Sequence, residues 1–289
     1  MFELILIAFA PALVLLYIFY KRDKARPEPR NIVIKIFLVG GIFVSILAGL
    51  LEKVLLNIFF NNPDLLNYNF SSFAQDLKMG AIPGFVEEIL KFVTILIFAY
   101  KIREFDEKAD GIIYALCVGM GFAAIENFFY VFWGLKASVF GSFFIAFLRA
   151  LTAVPFHAIL AVIMGYFIGQ AKFSQDKRKL FFFLALFLPI LLHTFYDALI
   201  FYFQKENLIT LILELIIIIF AIIGIIFTLR LTKETVSDDT RIIYTRRIKT
   251  IGTLLNLIQR RKNFNQVVWR GESNTQSQGQ EKNNFQNKI

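Results

Sequence analysis

Apolar residues in the first four fifths of this chain run in blocks of about 20 or more, without the strict alternation of strands. One such block, wound as a helix, crosses roughly 30 Å of hydrocarbon. The blocks fall at residues 2–20, 32–60, 80–100, 111–133, 142–170, 180–203 and 209–231. Helices close their own backbone hydrogen bonds, which lipid cannot do for them. The pattern therefore predicts an all-α fold, a polytopic membrane bundle of about seven transmembrane helices. The second and fifth blocks exceed a single crossing, which predicts helices that tilt or break near their ends.

The connections give direction. Those at 21–31, 101–110 and 171–179 are rich in Lys and Arg, whereas the intervening ones carry Lys78, Lys136 and Lys205 alone. Basic connections stay cytoplasmic, which places the N-terminus outside and the C-terminus in the cytoplasm of a multi-pass cell-membrane protein. The first span opens on an acid and has no basic leader, so it is expected to remain as an uncleaved helix. Composition agrees: 57% of the 289 residues are hydrophobic and 35 are Phe, too many for an ordinary soluble domain. The net charge of +9 lies along the cytoplasmic edges and tail, which argues for the lipid bilayer as partner and against nucleic acid. Cys117 is the single cysteine, so no intrachain disulfide is available.

Three regions follow. Residues 1–231 form the transmembrane bundle. Residues 232–270 form a basic segment in which Ile248, Ile251, Leu254, Leu255 and Ile258 recur at helical intervals, as in helices that lie on an anionic leaflet. Residues 271–289 are polar, low in complexity and expected to be disordered.

Ionisable residues inside spans cost about 2.5 to 3.5 kcal/mol each, so clusters of them are functional candidates. The third span holds Glu87, Glu88 and Lys91; the fourth, Glu126 beside Asn127; the fifth, Arg149 and His157; the sixth, His193 and Asp197. Counted from each span's outer end, most of these share a layer about 9 to 17 Å deep, with His157 at about 22 Å unless Pro155 kinks its helix. Glu87 and Glu88 stand four and three residues before Lys91, and His193 stands four before Asp197, so each set shares a helical face. Ala153, His157, Ala161, Gly165 and Gly169 form a stripe that admits a close neighbouring helix. Simpler roles remain open at this stage: a packing ion pair for Lys91, snorkelling for Arg149, and an interfacial anchor for Glu52 with Lys53. Glu214 reads as structural or rim-facing.

"PGFVEEILK", "GFAAIEN" and "HTFYD" resemble, in order, the E-E-x-x-K, F-x-x-x-E and H-x-x-x-D motifs of the PrsW intramembrane proteases. "RALTAVPFHAILAVIMGYFIG" is similar to that family's arginine-to-histidine helix, and residues 81–200 carry the resemblance. The related CAAX-processing and abortive-infection endopeptidases have His where Glu126 stands, which favours the PrsW branch. The resemblance implies cleavage of a membrane-anchored protein or peptide, such as an anti-sigma factor cut at its extracytoplasmic side.

Peptide hydrolysis needs an activated water, oxyanion support and a proton for the leaving amine. Glu88 or Glu87 suits the base, its neighbour being held by Lys91, with His193 oriented by Asp197 and Glu126 close by. Asn127 and Arg149 are candidates for oxyanion support. A zinc version takes Glu126, His157 and His193 as ligands, with Asp197 behind them and a glutamate of the third span as base. The competing class is a transporter or proton relay using the same residues, although the sequence carries no inverted repeat.

Overall fold

The computed structural model describes residues 2–23, 26–60, 73–135, 138–203 and 207–286. The helices are α1 (Phe2–Tyr20), α2 (Arg30–Val39), a π-helical turn (Gly40–Val44), α3 (Ser45–Phe60), α4 (Phe73–Phe98), α5 (Lys108–Gly134), α6 (Val139–Leu151), α7 (Ala153–Phe173), α8 (Arg178–Phe203) and α9 (Asn207–Gln286). Among the described residues, six stretches are long and apolar enough to cross a membrane: Phe2–Tyr20, Arg30–Phe60, Lys108–Gly134, Val139–Phe173, Arg178–Tyr202 and Leu215–Arg260. The remaining expected span is α4, where Asp76, Lys78, Glu87, Glu88 and Lys91 break the apolar run.

α5 is the axis of the bundle. From Ala109 to Ala124 every residue is buried, with α7, α1, α2 and the π turn packed around it. A second pair, α4 with α8, joins the first through α7 against α8. Small residues set both approaches. A methyl group on Gly165 or Gly169 of α7 would strike the α5 backbone at Gly111 and Lys108, and one on Gly119 would lie 2.8 Å from the Ala161 methyl. On α4, a methyl on Gly80 would sit 2.7 Å from the Thr194 carbonyl oxygen of α8, and one on Gly84 would sit 2.8 Å from the Thr194 nitrogen. Contacts this tight are van der Waals work, the main source of helix association where lipid is as apolar as the side chains.

The single fifth span expected over 142–170 is two helices. The chain turns at Thr152, with φ −120° and ψ −80°, because the ring of Pro155 clashes with the carbonyl four residues back and offers no N–H. The Leu148 carbonyl accepts both the Thr152 N–H, at 3.0 Å, and the Thr152 hydroxyl, at 2.8 Å, which closes the end of α6.

At the other end of α5, acids gather where the first turn exposes its N–H groups and positive dipole end. Glu107 and Asp110 form a reciprocal capping box. The carboxylate of Asp239 accepts from the Ala109 N–H at 2.9 Å, and Glu28 accepts from the Tyr114 hydroxyl. Arg26 bonds both Asp106 and Glu107, at 2.6 and 3.0 Å. The chain divides into compact units at Met1–Asp239 and Thr240–Ile289. The composition changes earlier, at 231, but Thr232, Thr235 and Asp239 remain buried. In the second unit Ile248, Ile251, Leu254, Leu255 and Ile258 are all exposed. Residues 287–289 of the expected tail, and the side chains of Glu214 and of 261–286, lie outside the described residues.

Two predictions follow from this packing. Gly80→Ala should force α4 and α8 apart and cost about 1 to 3 kcal/mol of stability, read as a lower thermal midpoint of the detergent-solubilised protein. Burial, the largest influence on each, raises the carboxyl pKa values of Asp23, Glu28 and Glu107 above the ordinary range. A raised acid penalises the fold once ionised, so stability should increase as pH falls through the folded value and level off below the unfolded one. Thermal midpoints measured from about pH 8 to pH 5 should therefore rise, with a shallower slope in Glu28→Gln.

Candidate active site

Helical spacing brings the first three residues together. On α4, Lys91 Nζ donates to Glu87 Oε2 at 3.0 Å and to Glu88 Oε1 at 2.8 Å. The glycines one and two turns earlier hold α4 against α8, which places His193 Nδ1 at 2.9 Å from Glu88 Oε1 and 3.9 Å from Glu87 Oε2. Asp197 Oδ2 lies 3.6 Å from His193 Nε2, one turn along the same face.

The break at Thr152 supplies the other half. It lets Arg149, ending α6, and His157, starting α7, reach one oxygen of α5: Glu126 Oε2, at 2.7 Å from Arg149 and 2.9 Å from His157 Nε2. On its other side His157 Nδ1 faces Lys91 Nζ at 3.4 Å. An ammonium only donates, so Nδ1 accepts and Nε2–H donates to Glu126. The straight-helix depth assigned to His157 from sequence is thus corrected: the kink brings it level with the others, its ring 5.3 Å from that of His193. Phe122 lies under Lys91, with Nζ 4.1 Å from the ring centre, and closes this side with an apolar, cation-tolerant face.

Arg149 turns inward over the Tyr130 ring. It also donates to Asn127 Oδ1 at 3.0 Å, while Asn127 Nδ2 donates to the Ala8 carbonyl at 2.7 Å. Both polar ends of Asn127 are therefore engaged in tying α1, α5 and α6 together. Exposure shows where the chamber opens: Glu126, Arg149 and Asp197 side chains keep 15–20%, whereas Glu87, Glu88, Lys91, His157 and His193 keep 6% or less.

Glu87, Glu88, His157 and His193 each offer a ligand atom within 4.8 Å of the others. Two carboxylates and two imidazoles form a donor set suited to zinc or a similar divalent ion. Glu88 Oε2 is buried with no hydrogen-bond donor, as expected of an acceptor awaiting a cation or water. The Lys91 ammonium touches three of the four residues and stands where a cation's charge would be. The set fits a metal provided that side chain withdraws. It differs from the Glu126, His157 and His193 set expected from sequence, because the Arg149 guanidinium already neutralises Glu126.

Sequence reasoning placed Glu52 at the membrane interface. The structure corrects this: its Oε1 is enclosed without a partner, and it feels the charges of Glu126, Asp197, His193 and Lys91. The overlooked signal is spacing, since Glu52 continues the four-residue interval of buried Val44, Ala48 and Leu56.

Acids, imidazoles and an ammonium enclosed together within a bundle of membrane helices are the equipment of an intramembrane peptidase. The profile of the PrsW family intramembrane metalloproteases matches residues 28–226. Proteases named PrsW are similar over most of the chain: that of Halalkalibacterium halodurans is 36% identical over 208 residues, 72% of this chain and 88% of its own length. Those of Bacillus subtilis and Clostridioides difficile are 35% and 33% identical, covering 68% and 75% of this chain and 82% and 87% of theirs. No solved structure matches. The chain belongs to the PrsW family of intramembrane proteases, which decides for a peptidase over the transporter.

Removing one partner of a part-buried ion pair leaves the other less well compensated, at about 1 to 3 kcal/mol. Arg149→Leu should therefore lower the thermal midpoint, and adding Glu126→Gln should restore much of the loss.

Proposed function

We propose that the protein cuts a membrane-anchored protein within or beside its transmembrane segment, with Glu88 as general base. The observation that carries this reading is the asymmetry of the Glu88 carboxylate. Oε1 is held by Lys91 and His193, while Oε2 is enclosed and unbonded. A fixed carboxylate with one free oxygen, shielded from bulk water, is prepared to take a proton from a single water and return it to the departing amine. Glu87 shares Lys91, so the ammonium compensates the pair and stands beside the place where an oxyanion would develop. His193 orients the water, with Asp197 beyond its second nitrogen. Asn127 is left out of this chemistry, since its own hydrogen bonds occupy it.

Glu87, His157 and His193 would hold zinc and leave Glu88 free as the base; when bound, the ion would supply a Lewis acid that polarises the carbonyl. In that state His157 would bind through Nδ1, with Nε2–H kept on Glu126. A carboxylate behind an imidazole fixes the tautomer and strengthens the ligand. Basic connections on the opposite side support a chamber nearer the outer face, which suits extracytoplasmic cleavage of a single-pass substrate of the anti-sigma-factor kind.

Comparison of new N-termini in membranes of cells making the wild-type protein or Glu88→Gln should reveal substrates cut only by the former. The rate of cutting should fall at least about a hundredfold in the variant. Identical termini in both would exclude Glu88 as base. Metal analysis of the purified protein should find about one zinc per chain, lost in Glu87→Ala/Glu88→Ala; a metal-free, fully active protein would remove zinc from the scheme.

A further inference from the structure

The position of Glu52 follows from the π turn. Ile36, Gly40, Val44 and Ala48 are buried at intervals of four residues, Leu56 follows eight further on, and Glu52 stands between them. A straight α-helix drifts about 40° at each such step and would carry the stripe away from its neighbours. The wider turn at Gly40–Val44 takes up part of that drift. It also seats the span on α5, where a methyl on Gly41 would stand 2.9 Å from the Gly121 carbonyl oxygen. Beyond the turn, α3 packs mainly on α4 and little on α5. Glu52 is therefore delivered to the α4 side of the chamber by a helix whose other faces, at Leu50, Leu51 and Val54, are exposed.

It lies within electrostatic range of charges on three helices: Lys91 and Glu87 of α4, Glu126 of α5, and His193 and Asp197 of α8. None of them bonds its Oε1, which is enclosed and without a donor. A bare acceptor at this depth is costly unless something supplies a hydrogen. A helical substrate brings such hydrogens when it opens. Its N–H groups are satisfied internally until a turn unwinds to expose the scissile bond, and each then needs an acceptor inside the membrane.

We propose that Glu52 is a substrate-positioning residue, whose free carboxyl oxygen accepts a main-chain N–H from the unwound segment beside Glu88. This rests on the peptidase reading above. It makes α3, exposed to lipid on its outer faces, the wall along which the substrate strand is aligned.

The test uses the full-length protein in proteoliposomes and a synthetic transmembrane peptide carrying a cut site found by comparing new N-termini in membranes of cells with and without the protein. Glu52→Leu should raise KM about ten- to hundredfold with kcat little changed, as expected when a charge-assisted hydrogen bond to bound substrate is lost. Glu52→Gln keeps a carbonyl oxygen and should hold KM within a few-fold of wild type. Binding is read separately in cleavage-dead protein: Glu88→Gln should bind the peptide, and Glu52→Leu/Glu88→Gln should bind it at least about tenfold more weakly. That comparison judges Glu52 even if hydrolysis by Glu88 fails its own test. Unchanged binding and KM in the Leu variant would overturn the proposal. A fall in kcat alone, shared by the Leu and Gln variants, would overturn it too.

Discussion

One ammonium ion, shared by two carboxylates and an imidazole inside a lipid-embedded bundle, is the constraint on which the rest of this structure depends. Lys91 lies against Glu87, Glu88 and His157, each within 3.4 Å. Without it, two carboxylates on adjacent residues would share a low-dielectric layer with no compensating charge. With it, α4 can be inserted even though its composition departs from that of a membrane span. The glycines of α4 and α7 serve the same end by letting backbones approach until the imidazoles reach the acids.

Charge compensation also separates structural from chemical roles. Arg149, Glu126 and Asn127 form a closed set whose polar atoms mostly meet one another or the α1 backbone. Glu88 and Glu52 each keep an oxygen that nothing satisfies. At a chamber lined by charged groups, such an oxygen is an acceptor that water, a metal or a peptide N–H can use. The Lys91 ammonium then has two readings in one geometry: the resting counter-ion of the acids, and the occupant that a divalent cation would displace.

Much of this was legible in the sequence, because bilayer thickness and the cost of buried charge are strong constraints. Apolar length predicts seven spans, six of which meet that measure among the described residues, and helical spacing predicts the pairings of Lys91 with Glu87 and Glu88. Other features depend on geometry that spacing does not encode. A straight-helix count put His157 too deep, since the angle introduced before Pro155 cannot be derived from its presence. Spacing offers Glu126 as a metal ligand and leaves Arg149 between snorkelling and oxyanion support; the inward turn that pairs Arg149 with Glu126 is a feature of tertiary packing. Glu52 looked like an anchor because its distance from the span end was counted, while the π turn that re-aims it leaves no motif. The PrsW resemblance supplies the reaction class, which residue patterns alone leave open between a peptidase and a transporter.

The most direct test of a shared chamber uses the fact that the chain contains only two histidines. With histidine labelled by ¹⁵N and glutamate by ¹³C, solid-state NMR of the protein in bilayers reports on His157 and His193 alone. The account predicts that each imidazole shows a through-space contact to a glutamate carboxyl carbon, the shortest contact of His193 being lost in Glu88→Gln and that of His157 in Glu126→Gln, while weaker contacts to the remaining glutamates persist. Imidazoles that contact lipid chains and no carboxyl carbon, in protein that is otherwise folded, would contradict it.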